Sequence, residues 1–184
     1  MKKLNLGCGS NKLEGFINID AEKSCKPDLI WDFATKSLPY RSNSIDEIVL
    51  FHCIEHIKKS LHYPLILEFW RLLKPKGRLL ISYPEFIKCV NNWKRNYKGL
   101  RDFWEATLYG RQLYPHDAHV CIMNTPDFIE LLRSVGFNEI VAKPELNEPY
   151  NTVISCCKDL RNPTYVDQVS EMMKSCKVKI KKAS

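Results

Sequence analysis

Apolar and polar positions along this chain repeat with a period near two, then near 3.6, then two again, and each change marks the border of a predicted strand or helix. "KKLNL" (2–6) reads as a first strand, stopped by the glycines of "GCG". "GFINID" (15–20) alternates apolar with polar and ends in Asp20, a second strand. "DLIWDF" (28–33) is a third and "IDEIVLF" (45–51) a fourth, which runs directly into "HCIEH". From Ser60 to Leu73, residues Leu61, Leu65, Phe69, Leu72 and Leu73 recur at helical spacing; "KPKG" (74–77) ends that helix and "RLLISY" (78–83) is a fifth strand. "TPDFIELLRSVGF" (125–137) reads as an amphipathic helix, with Thr125 as N-cap, Pro126 at the first helical position and Gly136 closing it. Two strands follow, near "NEIVAK" and "NTVISCC". Strands alternating with helices predict an α/β architecture, a parallel sheet with helices on its faces.

The segment 84–124 keeps no single period. It carries Trp93, Tyr97, Phe103, Trp104, Tyr109 and Tyr114 among many positive charges, and reads as an insertion into an otherwise single domain spanning 1–159. Residues 160–184 read as an appended basic helix and tail.

At 184 residues the chain is long enough for one well-buried core. Its 45% hydrophobic and 27% charged residues are ordinary for a soluble protein, and no stretch approaches the ~20 apolar residues of a membrane span. "MKKLNLGCGS" lacks the apolar centre of a secretory signal, so the eight cysteines, none in a C-x-x-C pair, are expected to be reduced thiols of a cytoplasmic protein. The net charge of +7 is densest in "KSCKVKIKKAS", which reads as a solvated tail rather than a base-reading surface.

Gly7-Cys8-Gly9 puts small residues where the chain leaves the first strand, and the carboxyl ends of parallel strands are where such sheets bind ligands. Asp20, ending the second strand, can accept both hydroxyls of a ribose. Asp32, ending the third, can accept an exocyclic amine. A nicotinamide site expects its acidic residue about 20 positions after the glycines; only ten residues separate Gly9 from Asp20, which counts against a dehydrogenase.

These blocks, "LNLGCGSNKLEGFINID", "WDFATKSLPYRSNSIDEIVLFHCIEHI" and "EFWRLLKPKGRLLISYPEF", resemble the class I S-adenosylmethionine-dependent methyltransferases, in particular small ones of the methyltransferase-11 type. The resemblance covers about residues 3–137. It implies a Rossmann-like three-layer sandwich whose seven-stranded, mostly parallel sheet ends in an antiparallel strand. It implies S-adenosylmethionine as cofactor, leaving as S-adenosylhomocysteine. Asn5, Gly7, Cys8 and Gly9 would then lie along the methionine part, Asp20 on the ribose, Asp32 with the Phe33 backbone at the adenine, and Phe51 and His52 beside the sulfonium. Two positions depart from the family: Asn5 stands where an acidic residue is common, and Asn11 where a third glycine is usual.

"FHCIEHI" (51–57) contains His52, Glu55 and His56 in the order H-x-x-E-H of inverted zinc peptidases. Those ligands need one helical face, whereas here they follow a strand. The small-RNA 3′-terminal 2′-O-methyltransferases carry E-x-x-E-H at this place and bind magnesium with it. That family's site is aided by a later histidine. Here His52 replaces the first glutamate, so Glu55 and His56 with the later His116 and His119 make a weakened site for a hard cation. They would suit a softer ion such as Zn²⁺ or Mn²⁺ better, and no metal ligand is assigned.

If the acceptor is a hydroxyl, a base must take its proton; His56, His119 and His116 are the candidates. Tyr83 and Glu85, just after the fifth strand, are expected on the acceptor side, with 84–124 as its lid. The reading is an O-methyltransferase acting on a sugar, glycan or other small polar acceptor. The alternatives are a metal-assisted RNA 2′-O-methyltransferase and a cofactor-binding partner subunit without its own catalysis. A nucleic-acid partner is the weaker choice, and oligomeric state stays open.

Overall fold

Seven strands form one sheet in the order β3-β2-β1-β4-β5-β7-β6. The computed structural model describes residues 1–113 and 117–159, so the tail expected at 160–184 lies outside the described residues. The strands are β1 (Lys3–Leu6), β2 (Ile17–Asp20), β3 (Leu29–Ile30), β4 (Ile45–Phe51), β5 (Leu73–Pro84), β6 (Phe137–Pro144) and β7 (Asn151–Lys158). The first five pair in parallel, and β7 runs antiparallel to both β5 and β6. The helices are α1 (Lys59–Leu72), α2 (Phe86–Lys94), α3 (Arg101–Tyr109) and α4 (Thr125–Val135). This is the expected α/β sandwich, a seven-stranded, mostly parallel sheet with an antiparallel last strand.

The core sits on the central strands, where both faces are covered and the side chains are apolar in runs. Leu4, Leu6, Ile48, Leu50, Leu79 and Ile81 are buried there. α1 lays Leu65, Ile66, Phe69 and Leu72 onto it, and α4 adds Phe128, Leu132 and Val135.

The opposite face of β1 and β2 carries asparagines, for a reason set by chain length. No helix separates Gly9 from Asp20, so an irregular loop must cover that face and its backbone needs partners. Asn5 and Asn18 stand side by side in register and supply them. The Asn5 amide donates to Asn18 Oδ1 (2.9 Å) and to the Asn11 carbonyl (3.0 Å), while Leu13 N donates to Asn18 Oδ1 (2.8 Å). Asp28 Oδ2 accepts from both the backbone and the side chain of Asn18, which holds its carboxyl below the usual range.

β2 starts at Ile17 rather than at 15 and α1 is shifted by one residue, and three further boundaries differ from expectation. β3 holds only Leu29–Ile30, not 28–33, because Asp32 turns the chain at once, accepting from Ala34 N (3.1 Å) and from the Thr35 hydroxyl. β5 starts at Leu73, since "KPKG" continues the strand through an irregular stretch with Lys76 at positive φ rather than forming a separate loop. The N-cap of α4 is Asn124, one residue early; Thr125 lies inside the helix, where its hydroxyl accepts from Tyr83 OH (3.2 Å).

Lys158 closes the sheet from within. It is 2% exposed, and its ammonium donates to Asn43 Oδ1 (2.7 Å), the Trp70 carbonyl (2.7 Å) and the Leu73 carbonyl (2.9 Å). It also stands 3.9 Å from the centroid of the Trp70 ring. Burial pulls its pKa down to about 8, so it stays charged at neutral pH with all three protons partnered. Lys158→Met should therefore cost about 2–4 kcal/mol of stability by leaving buried oxygens unpaired, read as a lower midpoint in urea unfolding at unchanged slope.

Candidate functional site

The carboxyl ends of β1, β2 and β4 meet at one edge, where β1 must turn sharply. Gly7 (φ +64°) and Gly9 (φ +48°) both take the left-handed conformation that glycine adopts without strain. A Cβ on Gly7 would collide with Cys53 Sγ and stand 2.9 Å from Cys53 Cβ, whereas one on Gly9 would meet nothing within 4 Å. The first glycine allows the loop to pack inward; the second leaves its outer side open to a ligand.

Side chain and backbone hold that turn together. Gly7 N and Cys8 N donate to the Ile19 carbonyl (2.8 and 3.2 Å), and Gly9 N donates to Asp20 Oδ2 (2.8 Å). Asp20 Oδ1 accepts from Glu22 N (2.8 Å). Each carboxylate oxygen thus holds one backbone donor and retains lone-pair capacity for a diol. Burial, with Asp20 adding repulsion, pushes the Cys8 thiol up to about 11, and burial raises Cys53 further. Both are inert, protonated thiols at neutral pH.

Asp32 and Phe33 lie next along this edge. Asp32 is half-buried, and Phe33 is buried with its ring 3.7 Å from where a Gly7 Cβ would be. Phe51 and His52 end β4 and are exposed. His52 has φ +49°, a conformation that costs a non-glycine residue about 1–2 kcal/mol. Its backbone donates to the Ser82 carbonyl (2.9 Å), while ring Nε2 lies 3.1 Å from Ser82 Oγ and 3.3 Å from Glu145 Oε2.

Beyond His52 the chain makes a 3₁₀ turn, Ile54–His56, not the helical face a peptidase would need. The turn is covered by the segment after α3, where Ala118 bridges Gly110. His119 N donates to the Tyr109 carbonyl (3.0 Å), and Val120 N donates to the Glu55 carbonyl (2.9 Å). His56 Nδ1 lies 3.0 Å from the Ala118 carbonyl, which assigns the proton to Nδ1 and the lone pair to Nε2. The His56 and His119 rings meet edge to face at 4.8 Å.

Burial lowers both histidine pKa values, that of His119 to about 4 with His56 adding to the effect. Glu55 is 2% exposed, its Oε2 has no hydrogen-bond partner among the described residues, and burial pushes its pKa up to about 8. Two neutral imidazoles and a neutral carboxylic acid therefore stand within 4.8 Å of one another at pH 7.

The structure brings Gly7, Cys8, Gly9, Asp20 and Phe33 together at one edge, and His56 with His119 at its neighbour. Asn5 and Tyr83 are placed differently. The Asn5 amide is spent inside the Asn18 network. Tyr83 is fully buried against Phe128 and Thr125, not on an open acceptor side, because β5 carries it inward toward α4. Glu85 caps α2, accepting from Lys88 N (2.9 Å). His116 lies outside the described residues. Cys53, whose small side chain is what Gly7 packs on, carries no local signal in the sequence, and Glu55 with His119, 64 residues later, is suggested there only through the resemblance to the metal-binding 2′-O-methyltransferases. In the fold, the Gly110–Ala118 bridge, the Val120 N bond to the Glu55 carbonyl and the His56 contact with the Ala118 carbonyl bring them together.

Residues 14–81 match the family model described as a methyltransferase domain. No curated protein matches the chain by sequence. Among solved structures, a SAM-dependent methyltransferase from Archaeoglobus fulgidus superposes with a TM-score of 0.63 at 14% identity, over 85% of this chain and 86% of that one. One from Methanosarcina mazei gives 0.60 at 16%, over 87% and 93%. A possible histamine N-methyltransferase from Thermotoga maritima gives 0.58 at 16%, over 86% and 82%. At these identities the structural likeness is one of fold.

Asp20→Ala should weaken S-adenosylhomocysteine binding at least about tenfold, some 1.4 kcal/mol, in calorimetric titration. Gly9→Ala should weaken binding while the chain stays folded, since its methyl would enter the open side of the loop. Gly7→Ala should instead lower the unfolding midpoint, by about 1–3 kcal/mol of overpacking, because its methyl meets Cys53.

Proposed function

We propose that this chain, an S-adenosylmethionine-dependent methyltransferase, transfers its methyl group to a hydroxyl oxygen of a sugar, a glycan intermediate or another small polar acceptor. The observation that carries the reading is the contact of two imidazoles that burial keeps neutral, His56 and His119, at the turn after β4. A sulfonium methyl is already activated, so methyl transfer needs alignment and exclusion of water. A hydroxyl acceptor needs one thing more, a group to take its proton as the new O–C bond forms and the S–C bond breaks. A neutral imidazole with a free Nε2 is suited to that, and the proton then resides on the ring while the cofactor leaves as a neutral thioether.

The neighbouring surface supports a compact polar acceptor with one apolar face. Tyr109, whose carbonyl holds His119 N, is exposed, as is Phe103. Trp104 and Tyr150 are stacked edge to face behind Phe103 and form the base of the lid. Gly7, Gly9, Asp20 and Asp32 hold the cofactor in this reading, and Phe51 and His52 border its reactive end.

The test is a transfer assay with methyl-labelled cofactor against free sugars, nucleotide sugars, amines and single-stranded RNA. The expected outcome is label on a sugar oxygen. His119→Ala should lower kcat by about 10²–10⁴-fold with S-adenosylhomocysteine affinity within twofold of the parent. Label on nitrogen or carbon, or an unchanged kcat in that variant, would overturn the reading. An RNA acceptor would reveal itself by affinity falling linearly in log–log dependence on salt.

A further inference from the structure

Glu55, His56 and His119 present one carboxylate oxygen and two imidazole nitrogens within 4.8 Å of one another. We propose that these three side chains bind a divalent transition-metal ion of the zinc class, which ties the segment after α3 to the turn after β4. The donor set is two imidazoles and one carboxylate, leaving a coordination position open, as in catalytic rather than structural zinc sites. With a single carboxylate, it serves magnesium or calcium poorly.

Two further observations distinguish this trio from a chance cluster. His56 has one ring nitrogen anchored to backbone, Nδ1 at the Ala118 carbonyl (3.0 Å). Outer carbonyl partners of this kind fix the tautomer of metal-binding histidines and turn the other nitrogen toward the ion. Glu55 Oε2, moreover, is buried and has no hydrogen-bond partner among the described residues. A buried carboxyl oxygen left in that state is costly, and a cation between it and the imidazoles removes the cost.

Bonds of 2.0–2.2 Å around a tetrahedral ion would hold the donors about 3.3 Å apart. The side chains need to close inward by an ångström or so, within reach of small torsional changes. A second group, His52 with Glu145 and Glu148, is less suited. It is more exposed, and both glutamates already accept from the Asn151 amide (2.8 and 2.7 Å).

The ion site uses the same imidazole lone pairs as the proposed proton acceptor, so an occupied site replaces that role of the histidines, and it does not depend on what is methylated. When bound, the ion would supply the acidification of an acceptor hydroxyl, and His56 and His119 would serve as its ligands.

The experiment uses the full chain stripped of metal with chelator. Zn²⁺ is titrated in competition with a chromophoric chelator, and Co²⁺ is added separately for its visible spectrum. One equivalent should bind, with d–d absorption of four- or five-coordinate intensity and no sulfur-to-cobalt charge-transfer band. His119→Ala and Glu55→Gln should each weaken Zn²⁺ at least tenfold; Cys121→Ser, which removes the thiol lying 3.6 Å from the Glu55 carbonyl, and Glu148→Gln should leave it within twofold. Circular dichroism and cooperative unfolding without metal establish that each variant folds, and His119→Gln replaces His119→Ala if the latter does not.

Zn²⁺ binding no tighter than about 1 mM, a thiolate band, or unchanged affinity in His119→Ala would overturn the site. S-adenosylhomocysteine binding is measured on the same samples. Binding of that cofactor product without Zn²⁺ defeats the ion alone, and binding of Zn²⁺ without it counts against the methyl-transfer reading alone.

Discussion

A hydrogen in place of a side chain at Gly7 lets the end of β1 lie directly on Cys53, at the head of the turn after β4. From that contact the rest of the edge follows. The loop that packs there turns its next amides toward β2, where the Ile19 carbonyl and the Asp20 carboxylate collect them. Asp20 is thereby aimed as well as placed, since one lone pair on each oxygen is already spent on backbone. The opening beside Gly9 is the counterpart of the contact at Gly7, a loop pressed inward on one side and left free on the other.

The turn after β4 links this edge to the opposite side of the cleft. Cys53 supports the glycine loop, and two residues on, the Glu55 carbonyl accepts from Val120 of the covering segment. His56 reaches the same segment through Ala118. Four consecutive residues, Cys53 to His56, therefore touch both the glycine loop and the segment that covers the turn. A shift in either must pass through a turn with little slack, because Ile54 and Glu55 are buried and His52 already holds a strained backbone.

The sequence was most legible where burial and period coincide. β4 was legible over its whole length because Ile45, Ile48, Val49 and Leu50 leave no other period open, and α1 was displaced by a single residue. The glycine turn and the two acids at the ends of β2 and β3 were legible because glycine spacing and strand ends are local signals. What was not legible depended on side chains competing with backbone. Asp32 cut β3 short by turning the chain, and Asn5 became part of a brace for a loop that replaces a helix. The grouping of Glu55 with His119 was suggested only by resemblance, since no local pattern points to it. The two are brought together by the Gly110–Ala118 bridge and by the contacts of Ala118 and Val120 with the turn after β4, inside a region whose composition shows neither strand nor helical period.

The position of β7 carries a consequence for how the chain is made. β7 comes last among the strands, yet it lies between β5 and β6. As the polypeptide leaves the ribosome, the outer edge of β5 stays without a partner until Asn151–Lys158 arrives, and β6 has nothing to pair with in the meantime. Unpaired edges are what nascent sheets lose to neighbouring chains. The final insertion also brings in Lys158, whose ammonium fits only over the finished end of α1, against the Trp70 and Leu73 carbonyls. A chain released before that lysine would carry an open sheet, and one that includes it has a charge that can be buried only if α1 and β5 are already in place.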